Sequence, residues 1–175
     1  RKIQSCIWED SLMERPQENI FIFDLDGTTI DSSHRQGETL DDWFRLNTEE
    51  NVMKDKPLLL AKAIRELAKA SFHVLICTSR TLSSWDYDYL YNRIYVPDSV
   101  KIIDRGNSKM ESHRLKKKQL SYLQNFKHFK HANKFLIDDS EPNRISFEEL
   151  GSTCWGLTPA SGNELIEHMK RDFEE

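Results

Sequence analysis

Two carboxylates one residue apart, Asp24 and Asp26, directly follow the apolar run Ile20-Phe21-Ile22-Phe23 and precede Gly27-Thr28-Thr29. At the end of a strand, residues i and i+2 point the same way, so both acids can face one reacting group or one cation. Gly27 lets the backbone turn sharply just behind them. The chemistry that wants this layout is covalent phosphoryl transfer. One carboxylate attacks phosphorus, the second handles the leaving-group proton, and a magnesium ion offsets the crowding of negative charge. The same Asp-x-Asp-Gly can be no more than an acidic turn, so the rest of such a site must be supplied from other parts of the chain.

The elements that would position these acids are legible from periodicity. Four consecutive apolar residues read as a strand buried on both faces. A strand that delivers acids at its C-terminal end is how an open α/β sheet builds a ligand crevice. Further apolar runs predict strands over 72–77, 100–103, 134–137 and 153–157. Helices are predicted over 58–70, 112–128, 142–149 and 161–172. This alternation implies a three-layer α/β domain with a parallel sheet. In the first helix Leu58, Leu59, Ala61, Ile64, Leu67 and Ala68 form a core stripe, with Pro57 in the first turn. In 112–128 the residues towards the core are Leu115, Leu120, Leu123 and Phe126. Residues 1–18 predict a short helix or arm on the domain edge, and 29–56 predict loop and short helix, with Trp43 and Phe44 packing that helix onto the domain or, as the alternative, stacking on bases. Tyr87 and Tyr91 come together at helical spacing, as packing residues or, as the alternative, as a surface on which bases or riboses stack.

The stretch Phe23-Asp24-Leu25-Asp26-Gly27-Thr28-Thr29 resembles the first motif of the haloacid dehalogenase (HAD) superfamily of phosphohydrolases. The superfamily's second motif, a Thr or Ser ending a strand, is matched by Val74-Leu75-Ile76-Cys77-Thr78-Ser79-Arg80. Its third, a lysine near a helix start, is matched by Lys116-Lys117-Lys118. Its fourth, an acidic pair ending a strand, is matched by Phe135-Leu136-Ile137-Asp138-Asp139. All four occur in order. The resemblance implies a Rossmann-like HAD fold and a phosphatase. Asp24 would be the nucleophile, Asp26 the general acid and base, and Thr78 with Lys116 or Lys118 would hold the transferred phosphoryl group. On a helical wheel Lys116 and Lys118 flank the apolar stripe from either side, and the two stay open. Magnesium would bind Asp24, Asp138, Asp139 and the backbone carbonyl of Asp26.

Residues 29–56 occupy the position at which this superfamily inserts a cap domain, and they are too few for a large lid. The arrangement resembles capless phage HAD domains, including the 3′-phosphatase half of phage polynucleotide kinases. That relative carries arginines at the positions of Arg35 and Arg80, which implies two phosphate clamps, with Gly27, Thr28 and Ser79 beside them. The implied substrate is a phosphorylated nucleic-acid end, most of all a 3′-phosphate, or a nucleotide. Alternatives are a phosphatase for mononucleotides or other small phosphoesters, and a nucleic-acid-binding or inhibitory module on a phosphatase scaffold. No P-loop occurs, so any partner kinase domain would lie outside these residues. Arg1, not methionine, opens the chain, which is consistent with a larger parent protein.

Length and composition fit a single domain over residues 1–175 with an ordinary globular balance, 38% hydrophobic and 31% charged. No apolar run approaches the roughly 20 residues of a membrane span, so a cytoplasmic location is expected, that of the host if the gene is a phage's. Cys6, Cys77 and Cys154 read as reduced thiols, not as a disulfide or zinc set. The net charge of −4 argues against a generally cationic protein. Yet Arg105, Lys109, Arg114, Lys116, Lys117, Lys118, Lys127, Lys130 and Lys134 gather bases beside the expected phosphate site, either as a solvated helix face or as a field for a polyanion.

Overall fold

The computed structural model describes residues 19–123, 125 and 127–173; the arm expected over 1–18, the core role of Phe126 and Cys6 lie outside the described residues. The first strand is β1 (Asn19–Phe23), followed by the two-residue strands β2 (Ile30–Asp31) and β3 (Lys56–Pro57). Strands β4 (His73–Cys77), β5 (Lys101–Ile103), β6 (Asn133–Ile137) and β7 (Cys154–Leu157) complete the set. The main sheet runs β5–β4–β1–β6–β7, every pairing parallel, with β1 at its centre. The expected α/β fold with a central parallel sheet is what forms.

Central position explains the unbroken apolar run in β1, because each of its faces meets a helical layer. Phe21 and Phe23 belong to one apolar cluster, with Ile64 and Leu67 of helix α3 (Leu59–Lys69) and Leu165, Ile166 and Met169 of the C-terminal helix (Pro159–Phe173). Ile20 and Ile22 belong to the other, with Leu120 and Leu123 of α5 (Ser112–Leu123) and Phe147 of α7 (Glu141–Glu148). Phe21 stacks on Phe135 at 5.3 Å between ring centroids and meets Phe72 edge-on at 5.5 Å. Truncating such a ring costs about 3–5 kcal/mol. Lateral hydrogen bonds to both neighbours fix where β1 ends, and the Asp24 N–H donating to the Ile137 carbonyl at 2.9 Å carries the chain into the crevice beside Asp138.

Several expected boundaries shift for local reasons. Pro57 does not open a helix; it pairs with Ile30 in β3, and α3 starts at Leu59. Leu58 and Leu59 are therefore exposed, and the buried stripe is Leu60, Ala61, Ala63, Ile64 and Leu67. The helix expected over 112–128 ends at Leu123, and α6 (Lys127–Lys130) follows as a separate turn. Residues 29–56 hold more structure than expected: the β2–β3 pair, a 3-10 turn over Ser33–Arg35, and helices α1 (Leu40–Leu46) and α2 (Glu49–Val52). Thr39 and Asp42 form a reciprocal capping box at the start of α1. A second box, from Ser83 and Asp86, starts α4 (Ser84–Asp88), which continues as a π-helical turn over Tyr89–Arg93. Tyr87 and Tyr91 stack there at 6.3 Å and pack against the core, as expected. The last helix, α8, is the Pro159–Phe173 segment.

Candidate active site

The acids at the ends of β1 and β6 meet at one point. A ligand oxygen from each of Asp24, Asp138 and Asp139 lies within 4.8 Å of the others. Lys116, on the second turn of α5, reaches into this group with only 1% of its surface exposed. Its Nζ donates to Asp24 Oδ1 and to Asp138 Oδ2, at 2.7 Å each. Lys118 faces the other way and is exposed, beside a shallow groove with Leu123. Of the two candidate lysines, Lys116 is therefore the one brought to the acids, and a catalytic role for Lys118 is corrected. The physical reason is helical phase: two residues along an α-helix turn a side chain to the far side.

Burial pushes the Asp24 carboxyl well above the ordinary carboxylate range, with Lys116 opposing that shift and Asp138 adding to it. Lys116 is pulled down by burial, but Asp24 and Asp138 outweigh this and hold its ammonium above the usual lysine value. Asp138 is fixed by further donors: Asn143 Nδ2 at 3.0 Å, and the Ser140 N–H at 2.9 Å. Thr28 Oγ1 lies 3.2 Å from Asp24 Oδ2 and accepts the Asp139 N–H at 3.2 Å, linking the first acidic pair to the second. Gly27 sits at φ +78°, and a Cβ there would run into the Asp139 carboxylate. Both facts require glycine at this position. Cys77 is a buried free thiol, pushed up to about 12 first of all by burial, which makes it inert; Cys154 is also free and buried.

Thr78 directly follows β4 on the same edge of the sheet, buried, with its Oγ1 accepting the Arg80 N–H at 3.1 Å. Arg80 is 6% exposed and donates from Nε to Asp26 Oδ2 at 3.0 Å and from Nη1 to Asp86 Oδ1 at 2.6 Å. Its Nη2 is buried with no hydrogen-bond partner among the described residues. Ser32 Oγ holds the other Asp26 oxygen at 2.6 Å. Ser79, Arg80, Thr81 and Arg105, with Asn47 and Ser112, form the polar side of a cavity of about 310 Å³, whose apolar wall is Leu40, Trp43 and Phe44 of α1. Phe44 is 62% exposed, and the Arg80 guanidinium lies 5.9 Å from the Trp43 ring centroid. Trp43 and Phe44 thus line a cavity, where packing onto the domain was expected. Helix α1 buries none of its residues, so its apolar side is left facing this opening.

Arg35 departs most from expectation. It is 1% exposed, and its guanidinium is already engaged: Nε and Nη2 grip Asp55 at 2.8 and 2.6 Å, Nη1 donates to Asn47 at 2.9 Å, and Nη2 reaches Asp86 at 3.3 Å. A fork so occupied cannot also clamp a phosphate, so its assignment as substrate-binding is corrected. The basic segment is likewise divided among separate tasks. Arg105 donates to the Ser79, Ser108 and Met110 carbonyls, Lys116 serves the acids, Lys117 pairs with Glu149 at 2.7 Å, and Lys134 is buried against Ala132 and Thr153. The side chain of Lys127 lies outside the described residues, while Lys109, Arg114, Lys118 and Lys130 are exposed.

Asp55, Asp86 and Asn143 do not stand out in the sequence as site residues. Asp86 carries one signal, since Ser83-x-x-Asp86 is a capping-box pattern. Asp55 stands in the Asp55-Lys56-Pro57 run that shares the phage-type resemblance but signals no role of its own, and Asn143 carries no signal, because its partner Asp138 lies on another element.

Solved structures of similar fold place the architecture. A hydrolase from Streptococcus pneumoniae TIGR4 superposes with a TM-score of 0.53 at 8% identity, over 79% of this chain and 90% of that one. A HAD-superfamily hydrolase of subfamily IA, variant 1, from Geobacter sulfurreducens PCA gives 0.51 at 14%, over 73% and 81%. A haloacid dehalogenase-like family hydrolase from Streptococcus pneumoniae gives 0.52 at 11%, over 86% and 90%. No curated protein matches the sequence. The fold is that of the HAD hydrolases. Residues 13–133 match the model of the family described as bacteriophage T5 5′-deoxynucleotidase, which covers most of the chain. The chain belongs to that family. No helix among the described residues is long and apolar enough to cross a membrane.

Proposed function

We propose that the protein is a magnesium-dependent 5′-deoxynucleotidase, which removes phosphate from deoxyribonucleoside 5′-monophosphates. The observation that carries this reading is the cavity with Trp43 and Phe44 on one side and, on the other, Ser79 and Arg80, the residue that bonds Asp26. Its volume is at the small end of ligand pockets, and an aromatic wall opposite a guanidinium suits a base attached to a phosphate. The family to which the chain belongs supports the same substrate class.

Asp24 attacks phosphorus, and an aspartyl phosphate forms as the bond to the nucleoside oxygen breaks. Asp26 gives its proton to that oxygen, then takes one from the water that hydrolyses the aspartyl phosphate. Lys116 and Thr78 hold the non-bridging oxygens, and the free Nη2 of Arg80 supplies a further donor. Gly27, Thr28 and Ser79 shape the phosphate side of the site. The donor set fits magnesium: it is all oxygen, and three carboxylates converge where Lys116 contacts two of them. Asp24, Asp138, Asp139 and the Asp26 carbonyl would hold the ion, whose charge eases the approach of an anionic phosphate to the carboxylates.

Two of the sequence features behind the polynucleotide 3′-end reading are weakened, since Arg35 is engaged elsewhere and the basic segment is divided, while Arg80 and the absence of a large lid suit either substrate. On the mononucleotide reading no kinase partner is needed, and the substrate pool is that of the host cytoplasm. A single panel tests the choice: kcat/KM with magnesium for 5′- and 3′-deoxymononucleotides and for oligonucleotides with 3′- or 5′-phosphate. Preference for the 5′-mononucleotides is expected; preference for the 3′-phosphorylated oligonucleotide would reverse the assignment.

A further inference from the structure

Behind Arg80 lies a chain of buried charges that no step of the reaction uses. Asp86 is its pivot. Its Oδ2 accepts the Ser83 N–H and hydroxyl at 2.8 and 2.9 Å, which locks the carboxylate to the start of α4. Its Oδ1 then faces two guanidiniums, Arg80 Nη1 at 2.6 Å and Arg35 Nη2 at 3.3 Å. Arg80 passes the constraint to Asp26. Arg35, Asn47 and Asp55 all come from the segment that carries the aromatic wall, and the Tyr89 hydroxyl ties the Asp55 carbonyl to the π-helical turn at 2.8 Å. The wall and the proton-handling carboxylate are thus referenced to one buried point.

Charge explains why both arginines are needed. Asp55 and Asp86 are buried, Arg35 bonds both, Arg80 bridges Asp86 to Asp26, and the His34 ring lies 3.5 Å from Asp55 at the outer end of the chain. With Arg35 saturating Asp55 and sharing Asp86, Arg80 can commit Nη1 to Asp86 and Nε to Asp26 while Nη2 stays free. Without Asp86 the Arg80 fork has one anchor in place of two, and a long flexible side chain no longer holds the Asp26 carboxyl in one orientation.

We infer that Asp86 and Arg35 are positioning residues that act through Arg80 to hold Asp26 in line with the leaving oxygen. The inference rests on the proposed role of Asp26 as the proton donor. Loss of either residue should therefore resemble a weakened general acid, and the effect should depend on how much the leaving group needs a proton. An alkoxide such as a nucleoside 5′-oxygen needs one; the nitrophenolate of p-nitrophenyl phosphate does not.

The test compares kcat for a deoxynucleoside 5′-monophosphate and for p-nitrophenyl phosphate in wild type, Asp26→Asn, Asp86→Asn, Arg35→Lys and Asp26→Asn/Asp86→Asn, all with magnesium. General acids contribute about 10²–10⁴-fold, and misorientation forfeits part of that, so Asp86→Asn should lose roughly 10–100-fold on the nucleotide and under about 3-fold on the nitrophenyl ester. Arg35→Lys keeps the charge but not the fork, and should show the same selectivity to a smaller degree. The second substitution should cost little once Asp26→Asn is present, because residues acting as a unit are non-additive. Equal losses on both substrates in Asp86→Asn and Arg35→Lys, or fully additive losses in the double variant, would overturn the inference while Asp26→Asn stays selective. An Asp26→Asn protein that loses both substrates alike would instead overturn the reading of Asp26, and the inference with it.

Discussion

Replacing Lys116 with methionine removes the buried cation that, among the described residues, touches both Asp24 and Asp138. The side chain is 1% exposed, so no solvent can take its place, and methionine fills a similar volume without charge. Breaking a buried ion pair by removing one partner costs about 3–5 kcal/mol, because the remaining charge stays uncompensated. For a protein of this size each kcal/mol moves Tm by about 2–4 °C, so Lys116→Met should melt roughly 6–20 °C below wild type in a chelator. Magnesium should then return more of that loss to the variant than it adds to wild type, since the ion meets two carboxylates with no ammonium between them. Circular-dichroism melts with EDTA and with millimolar magnesium measure both effects. A Tm within about 2 °C of wild type in EDTA would refute the claim that Lys116 neutralises this pair.

Other consequences are as specific. Phe44→Ala should raise KM for deoxynucleoside 5′-monophosphates roughly 10-fold, as expected for one lost stacking contact, and leave KM for deoxyribose 5-phosphate unchanged; steady-state kinetics with the two substrates checks this. Gly27→Ala forces a Cβ into the Asp139 carboxylate at a positive φ, so magnesium affinity by calorimetry should fall at least about 10-fold, as happens when the surroundings of metal ligands are disturbed. Burial raises the Asp86 carboxyl, but Arg80 with the Ser83 N–H and hydroxyl outweighs it and holds the group below its usual range. A depressed folded-state value contributes stability that is present above the unfolded-state value near pH 4 and is lost as pH falls through the folded one. Chemical denaturation from pH 6 down to pH 3 should therefore show a steeper acid loss in wild type than in Asp86→Asn.

Much of this site is legible in the sequence because its parts sit at strand ends. Periodicity locates β1, β4 and β6, and the residue after each is Asp24, Thr78 or Asp138. Parallel pairing then delivers them to one edge. Lys116 can be narrowed only to a pair, because a helical wheel gives phase but not reach, and contact with Asp24 and Asp138 separates it from Lys118. Arg35 misleads because a buried arginine and a phosphate-binding one look alike in sequence; the difference is made by Asn47 and Asp55 elsewhere in the same segment and by Asp86 from beyond it. The cavity wall escapes for a related reason. Trp43 and Phe44 on a short helix read as core, and only the surrounding fold shows that α1 has no core to cover.

The central claim is that Asp24 becomes covalently phosphorylated during turnover of a deoxynucleoside 5′-monophosphate. Its most direct test is an acid quench of enzyme, magnesium and substrate in the steady state, followed by peptide mass spectrometry. A phosphate adduct is expected on the peptide that contains Asp24, absent without substrate and absent in Asp24→Asn, which should also release no phosphate. An Asp24→Asn protein that retains turnover, or an adduct on another side chain, would contradict the claim.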